Sequence, residues 1–263
     1  MVLERLESIR DAIRNPWHMI PLGIVISSIS LFIAFLMTSE SVGMFTSFII
    51  TIAMMPFMVN LITYEETREE QMAEKMRGNI FQRHREILSI YGAFFAGMLI
   101  ALTLIFLFLP TDIVDKLFGD QIKQIEIIRG HATIFSTYEK IVVTNIGVLL
   151  LSFVFSFLFG AGAMFILAWN ASVLATVIGI TAKDFGGLAG LPIAVATFLP
   201  HGTLEILAYF IGGIAGGLVS VAITRKKSKW FGFILKDSFK LLGTAVIILL
   251  IAGGIESLLI SLA

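Results

Sequence analysis

The chain has 263 residues, of which 57% are hydrophobic and 14% charged, with zero net charge and a mean hydropathy of +0.93. A soluble domain carries about 25% charged residues, so a soluble globular protein is excluded, and several apolar runs reach the roughly 18–20 residues that cross a bilayer. The balanced charge offers nothing to nucleic acid, and the absence of cysteine removes disulfides, thiolate metal sites and cysteine nucleophiles.

Residues 1–15 interleave Glu4, Arg5, Glu7, Arg10, Asp11 and Arg14 with Leu3, Leu6, Ile9 and Ile13, the spacing of an amphipathic helix lying on a membrane surface. Pro16 ends it, and Trp17 and His18 suit the interface. No short basic leader precedes the first apolar run, so a first span over roughly 19–37 is expected to stay as an anchor. Residues 38–41 turn into a second span, roughly 42–62. Residues 64–86 then become polar, with Glu65, Glu66, Glu69, Glu70 and Glu74 ahead of Lys75, Arg77, Arg83 and Arg85. Acids before bases complement a helix dipole, which predicts a polar connecting helix leading into a third span over roughly 87–109.

Residues 111–140 carry Val114, Leu117, Phe118, Ile122, Ile125 and Ile128 as one stripe, with Lys116, Lys123 and Arg129 off it, a second amphipathic helix. A fourth span is expected over roughly 141–168, ending at Trp169-Asn170. In 171–200, two apolar halves flank Lys183-Asp184-Phe185-Gly186-Gly187, and neither half alone crosses a core of about 30 Å. This reads as a re-entrant hairpin or a broken spanning helix, which a membrane tolerates only where protein or a cavity surrounds it. A span over roughly 203–223, the run Arg225-Lys226-Lys227-Ser228-Lys229 and a last span over roughly 239–262 follow. The expected architecture is an all-α polytopic transmembrane helix bundle of about six spanning helices plus the broken or re-entrant element, one integral membrane domain over 1–263.

Charge does not settle the orientation. Placing the N-terminus and residues 64–86 inside puts Arg5, Arg10, Arg14, Arg68, Lys75, Arg77, Arg83 and Arg85 in the cytoplasm, as the positive-inside rule prefers. Simple alternation then puts 225–229 outside, against the rule, unless 171–200 contains a full crossing.

Within the apolar region, Leu199-Pro200-His201-Gly202-Thr203-Leu204-Glu205 places a histidine and a carboxylate four residues apart, on one helical face. An ionisable residue at membrane depth costs about 2.5–3.5 kcal/mol on insertion scales and marks a functional site by default. Pro200 disfavours helix at the residue before it, so a helix is expected to begin near 201–203, with its positive end close to the pair. His201 and Glu205 are therefore candidates to share a proton, hold an anion or bind a divalent cation, and equally to form a capping and interhelical hydrogen-bond pair. Glu256, Asn145 and Asn170 are candidate second members of an ion or solute site. Capping at the interface is the plainer role for both asparagines, and Glu256, near the end of the last span, can instead reach water.

Ala208, Gly212, Gly216 and Ser220, with Gly213 and Gly217 beside them, form a small-residue seam, and Ser152, Ser156 and Gly160 offer a match for it or for a second subunit. Glu65, Glu66 and His84 have the donor types for a divalent metal, although a charge run after a span is usually a solvated face. No nucleophile elbow, metalloprotease, phosphate-loop or dinucleotide motif occurs.

Thr144-Asn145, the run from Ser156 to Ala163, the run from Leu167 to Val173, Leu199-Pro200-His201-Gly202 with Glu205, and Ile255-Glu256 together resemble the signatures of the stage II sporulation protein M family, in particular its archaeal branch. Met55-Pro56 and Glu65-Glu66 extend the likeness over most of the chain. The resemblance implies a membrane component that, in spore-forming bacteria, works in engulfment beside peptidoglycan-cutting partners. Archaeal members have no such wall, so what it implies more generally is a multi-pass protein with shared intramembrane polar residues.

The functional expectation is a cell-membrane protein that handles a small ion or solute, with Glu205 binding a proton or divalent cation and His201 as its partner or pH switch. Polar groups near the midplane on interrupted helices are a recurring transporter device. The alternative is a non-catalytic membrane scaffold that recruits membrane-protein partners or remodels the bilayer. An enzyme is disfavoured for want of a nucleophile or metal set. The expected partners are the lipid bilayer and a second copy in a homodimer, and no nucleic acid.

Overall fold

A backbone in hydrocarbon has no hydrogen-bonding partner except itself, so apolar runs of this length are committed to helix. The computed structural model describes residues 9–75, 84–129, 134–160, 162–224 and 231–262, and every regular element among them is helical. The helices are α1 (Ile9–Arg14), α2 (Met19–Met37), α3 (Val42–Lys75), α4 (Arg85–Phe108), α5 (Thr111–Arg129), α6 (Ile134–Phe159), α7 (Ala163–Asp184), α8 (Leu191–Thr224) and α9 (Phe231–Leu262). Single 3-10 turns at Pro16–His18 and Gly187–Gly190 lead into α2 and α8. Seven of the described helices, all but α1 and α5, are long and apolar enough to cross a membrane.

The first three spans, the span after 200 and the last span are where the hydropathy puts them. The middle of the chain is divided differently. The expected fourth span ends early, at Phe159, because Gly160 takes a φ of +74°, a conformation that costs glycine little. The Ser156 hydroxyl accepts the Ala163 backbone N–H at 3.1 Å, satisfying one of the free donors that begin α7. Residues 163–184 are thus a span of their own, which contains Trp169 and Asn170 in its interior. The second half of the 171–200 region opens α8, after a turn in which Gly186 and Gly187 have φ of +96° and +73°. The segment 171–200 is therefore the junction of two spanning helices, and the break expected at Pro200 is absent. Pro200 lies inside α8, where it withholds one backbone bond without ending the helix.

The flanking segments are also resolved in part. Residues 1–8 of the expected surface helix lie outside the described residues, and in α1 Ala12 is fully buried with Ile9 and Ile13 packed on the main core. The polar stretch after the second span continues α3 without a break to Lys75, residues 76–83 lie outside the described residues, and α4 starts at Arg85. The stretch 111–140 divides into α5 and the start of α6. The apolar stripe of α5 is its buried face: Val114, Leu117 and Phe118 pack with Leu102 and Phe106 of α4. Two glutamines fasten α5 to the middle of α7, Gln121 Nε2 donating to Ser172 Oγ at 2.9 Å and Gln124 Oε1 accepting from Trp169 Nε1 at 3.1 Å.

Helices in lipid gain little from apolar burial against one another and associate through close packing over small residues. α2 meets α4 at Gly23 and Gly97, where a Cβ on Gly23 would lie 2.5 Å from the Phe94 carbonyl oxygen. The seam on α8 meets α6 and α7 of the same chain: Gly212 lies on Leu149, Gly216 on the Phe153 carbonyl, and Gly213 on Ala163. A methyl group at 216 must move backbone. Gly216→Ala is expected to cost about 1–3 kcal/mol through overpacking. Gly243→Ala on α9, whose Cβ would meet nothing within 4 Å, should leave thermal unfolding in detergent unchanged or raise its midpoint. Equal midpoints for the two variants would contradict the close approach of α6 and α8.

Were each of these seven helices to cross once, residues 225–229 would fall on the same side as residues 1–18 and the α3–α4 connection, and every strongly basic stretch would share one side. The lack of native cysteine makes this directly measurable. A membrane-impermeant maleimide on intact cells should label Ser39→Cys and reach Ser228→Cys only after permeabilisation. Equal labelling of both without permeabilisation would rule out the seven-crossing arrangement.

Candidate functional site

The seam between α6 and α8 also sets the register of their polar residues. Leu149 faces Gly212 and Phe153 faces Gly216. Stepping back one turn along these helices brings Asn145 level with Ala208, between Glu205 and Tyr209. Asn145 Nδ2 donates to Glu205 Oε1 at 2.5 Å, and the Tyr209 hydroxyl donates to Asn145 Oδ1 at 2.8 Å. From α9, Gly253 rests against Val142 and Ile141, with a built Cβ at 3.0 Å and 3.4 Å. One turn on, Glu256 brings its carboxyl group within hydrogen-bonding reach of that of Glu205. Three helices thus contribute four polar side chains to one cluster.

Glu205 lies about 21 Å from the start of α8 at 1.5 Å per residue, well inside the span. Glu205, Glu256 and Asn145 are half-buried, and Tyr209 is buried. The Asn145 amide uses its N–H toward an acidic oxygen and its carbonyl toward a phenol, an orientation that satisfies both neighbours. A hydrogen bond between two carboxyl groups exists only while one of them carries a proton, because an ionised carboxylate only accepts. The cluster can therefore hold a proton between two acids, or exchange it for another small cation that the two carboxylates can face.

Of the residues singled out in the sequence, Glu205, Glu256 and Asn145 come together. His201 does not join them: no hydrogen bond links it to Glu205, although the two share a face of α8. Its ring is buried edge-on to Phe198 at 5.9 Å between centroids, and its Nδ1 is enclosed without a hydrogen-bond partner. With the helix continuous through Pro200, no free helix N-terminus stands beside the pair. Asn170 donates to the Ile166 carbonyl of its own helix at 2.7 Å and is not part of the cluster. Tyr209 escaped notice in the sequence. Its signal is the four-residue step from Glu205, but a tyrosine in an apolar helix reads equally well as core.

Glu65, Glu66 and His84 are all buried at the end of the bundle where α3 leaves and α4 begins. His84 Nδ1 lies 2.8 Å from Glu65 Oε1, while Arg68 lies 3.6 Å from Glu65 and 2.9 Å from Glu86. This is a charged clasp between two helices. Among the described residues no group of three or more histidines, aspartates and glutamates could hold a metal ion.

Membrane interhelical hydrogen bonds average about 0.6 kcal/mol, so Tyr209→Phe should cost about that much. Asn145→Leu should cost more, about 1–3 kcal/mol, because it strands Glu205 and Tyr209 together. Because both variants break the same bond, a double-mutant cycle on unfolding in detergent should return a coupling of about 0.5 kcal/mol or more. Strict additivity would mean that Tyr209 and Asn145 are not bonded.

No curated protein and no solved structure matches the chain. The family model for stage II sporulation protein M matches residues 42–259, from the first residue of α3 to within a turn of the end of α9. That match takes in Asn145, Glu205, Tyr209 and Glu256 and covers most of the chain, so this multi-pass membrane protein belongs to the stage II sporulation protein M family.

Proposed function

We propose that the chain is a membrane transport protein in which Glu205 and Glu256 bind a proton, exchanged during transport against a small cation or solute. The observation that carries this reading is the pairing of two acidic side chains from different helices inside the apolar part of the bundle. Each such residue is expensive in a bilayer and would be selected against without a use. Placing two of them side by side adds mutual repulsion whenever both are ionised. A purely structural need for an interhelical hydrogen bond is met by Asn145 and Tyr209 alone.

Pro200 supports the same reading. It lies about one and a half turns before Glu205 and leaves α8 without one backbone bond there, and such points are where membrane helices flex. His201 sits at that point with an enclosed, unbonded ring nitrogen. In this proposal it is a gate residue beside the carboxyl pair rather than a ligand within it.

A second reading, a scaffold for membrane-protein partners, draws on α5. That helix leaves Asp112, Asp115, Lys116, Lys123 and Glu126 exposed on the face away from the bundle. The two readings separate on one measurement. In proteoliposomes loaded with a pH-sensitive dye, an imposed ion or pH gradient should drive proton movement in the native protein. Glu205→Gln and Glu256→Gln should each lower the rate at least tenfold while leaving the unfolding midpoint equal or higher, since glutamine keeps the hydrogen bonds and removes the charge. Proton movement no faster than in empty liposomes, under sodium, potassium and divalent gradients alike, would end the transport reading and leave the scaffold.

A further inference from the structure

We propose, resting on the transport reading, that the carboxyl pair exchanges its proton with the end of the bundle at which α8 begins, while the glycine seam shuts it off from the other end. The end where α8 begins is also where α2 and α4 finish. Leu31 and Ala34 of α2 and Phe106 of α4 pack in one cluster with Ala175 of α7, and α7 ends at Asp184, just ahead of α8.

Burial changes abruptly at the level of the pair. On α8 every residue from Ala208 to Val219 is buried, whereas each of residues 203–207 keeps exposed surface. Ahead of those, only Ala194, His201 and Gly202 of α8 are buried. On α6 no residue from 138 to 148 is buried, and Leu149 is the first that is. On α9, which runs the opposite way, Ala252 and Gly253 are buried and residues 254–260 are not. These three boundaries share one level, because Leu149 lies on Gly212 and Gly253 rests against Val142. Glu205, Glu256 and Asn145 sit at that boundary, half-buried.

A proton moves along hydrogen-bonding groups or water, and a buried water needs room and about two to four polar partners. Beyond the pair, toward the end of α8, neither is offered. Gly216 is so close to the Phe153 carbonyl that a Cβ there would overlap it, and α9 adds Ala245, Leu249 and Ala252, all fully buried. The next polar side chain on that face of α6 is Ser152, fully buried and about 10 Å along the helix from Asn145 at 1.5 Å per residue, too far for a hydrogen bond. In the other direction polar side chains stand on unburied positions of both flanking helices. Glu139, Lys140 and Thr144 are exposed on α6, and Ser257 is half-buried on α9 beside Glu256. The pair therefore lies at the floor of the looser, more polar third of the bundle, on top of a closed seam.

The lack of native cysteine makes the access measurable one position at a time. Ser39→Cys, in the turn after α2, marks the end where α8 begins, and Lys236→Cys, exposed near the start of α9, marks the other. An impermeant methanethiosulfonate carrying a quaternary ammonium is added to intact cells and to inverted membrane vesicles. Ser257→Cys and Thr144→Cys are expected to react from the side that labels Ser39→Cys and not from the side that labels Lys236→Cys. Ser152→Cys should react about a hundredfold more slowly than Ser257→Cys from either side, since the thiolate is the reacting form and burial withholds it. Reaction of Ser257→Cys and Thr144→Cys from the Lys236→Cys side would overturn the proposal. So would their labelling by a lipid-permeant maleimide alone, which would mean that the opening faces hydrocarbon, or a Ser152→Cys as fast as Ser257→Cys, which would mean that the seam is open. Proton movement in the dye-loaded liposomes is a separate readout: a flat trace beside the expected labelling would end the transport reading and keep the one-ended access.

Discussion

The contact on which the rest depends is the approach of α8 to α6 over Gly212 and Gly216. A side chain larger than hydrogen at either position would collide with Leu149 or with the Phe153 carbonyl. In water, two helices can be held together by burying apolar surface. In lipid that force is absent, and what remains is close packing and hydrogen bonding between helices. The glycines let the two backbones approach, and the approach fixes a register in which Asn145 meets Glu205 and Tyr209. Packing and polar recognition are therefore one event here: a shift of one turn along the seam would leave an amide, a phenol and a carboxyl group without partners.

The same register explains why the carboxyl pair sits where three helices meet and not on the seam itself. α6 and α9 are the least buried of the candidate spans, at 17% and 22%, while the α8 span is 72% buried. Glu205 comes from the well-packed helix and Glu256 from a lightly packed one. Asn145 anchors the first carboxyl group rigidly, and the second depends on the position of α9 relative to α8. In the proposed transport reading, a proton held between them would link protonation to the spacing of the two helices.

Much of this was legible in the sequence. Hydropathy locates α2, α3, α4 and α9, the cost of burying charge singles out Glu205, and the small-residue steps of α8 announce the seam. Three features were not legible, each for a physical reason. The break at Gly160 interrupts an unbroken apolar run, so composition is blind to it; only a positive φ and a serine cap seven residues from its donor end the helix. The continuity of α8 through Pro200 reverses a sound local preference, because a helix in lipid that runs on through a proline keeps its remaining backbone bonds, whereas an ended one would leave them unmet. The His201–Glu205 pair is correct as a shared face and wrong as a contact. Helical spacing says which side chains point the same way, not which of them a neighbouring helix intercepts, and here Asn145 and Glu256 take the carboxyl group.

The Gly160 break also bears on the charge conflict. With the fourth span running to 168, the chain crosses once too few times, and the basic run at 225–229 falls on the side opposite the other basic segments. Ending α6 at Phe159 leaves α7 long and apolar enough for a crossing of its own, and seven single crossings would return the run to their side. Positive charge at a membrane surface follows the cytoplasmic side, which is also the side of anionic lipid. The carboxyl pair lies displaced from that end, across the middle of α8. One glycine conformation in the centre of the chain thus separates two candidate spans that an unbroken apolar run would merge.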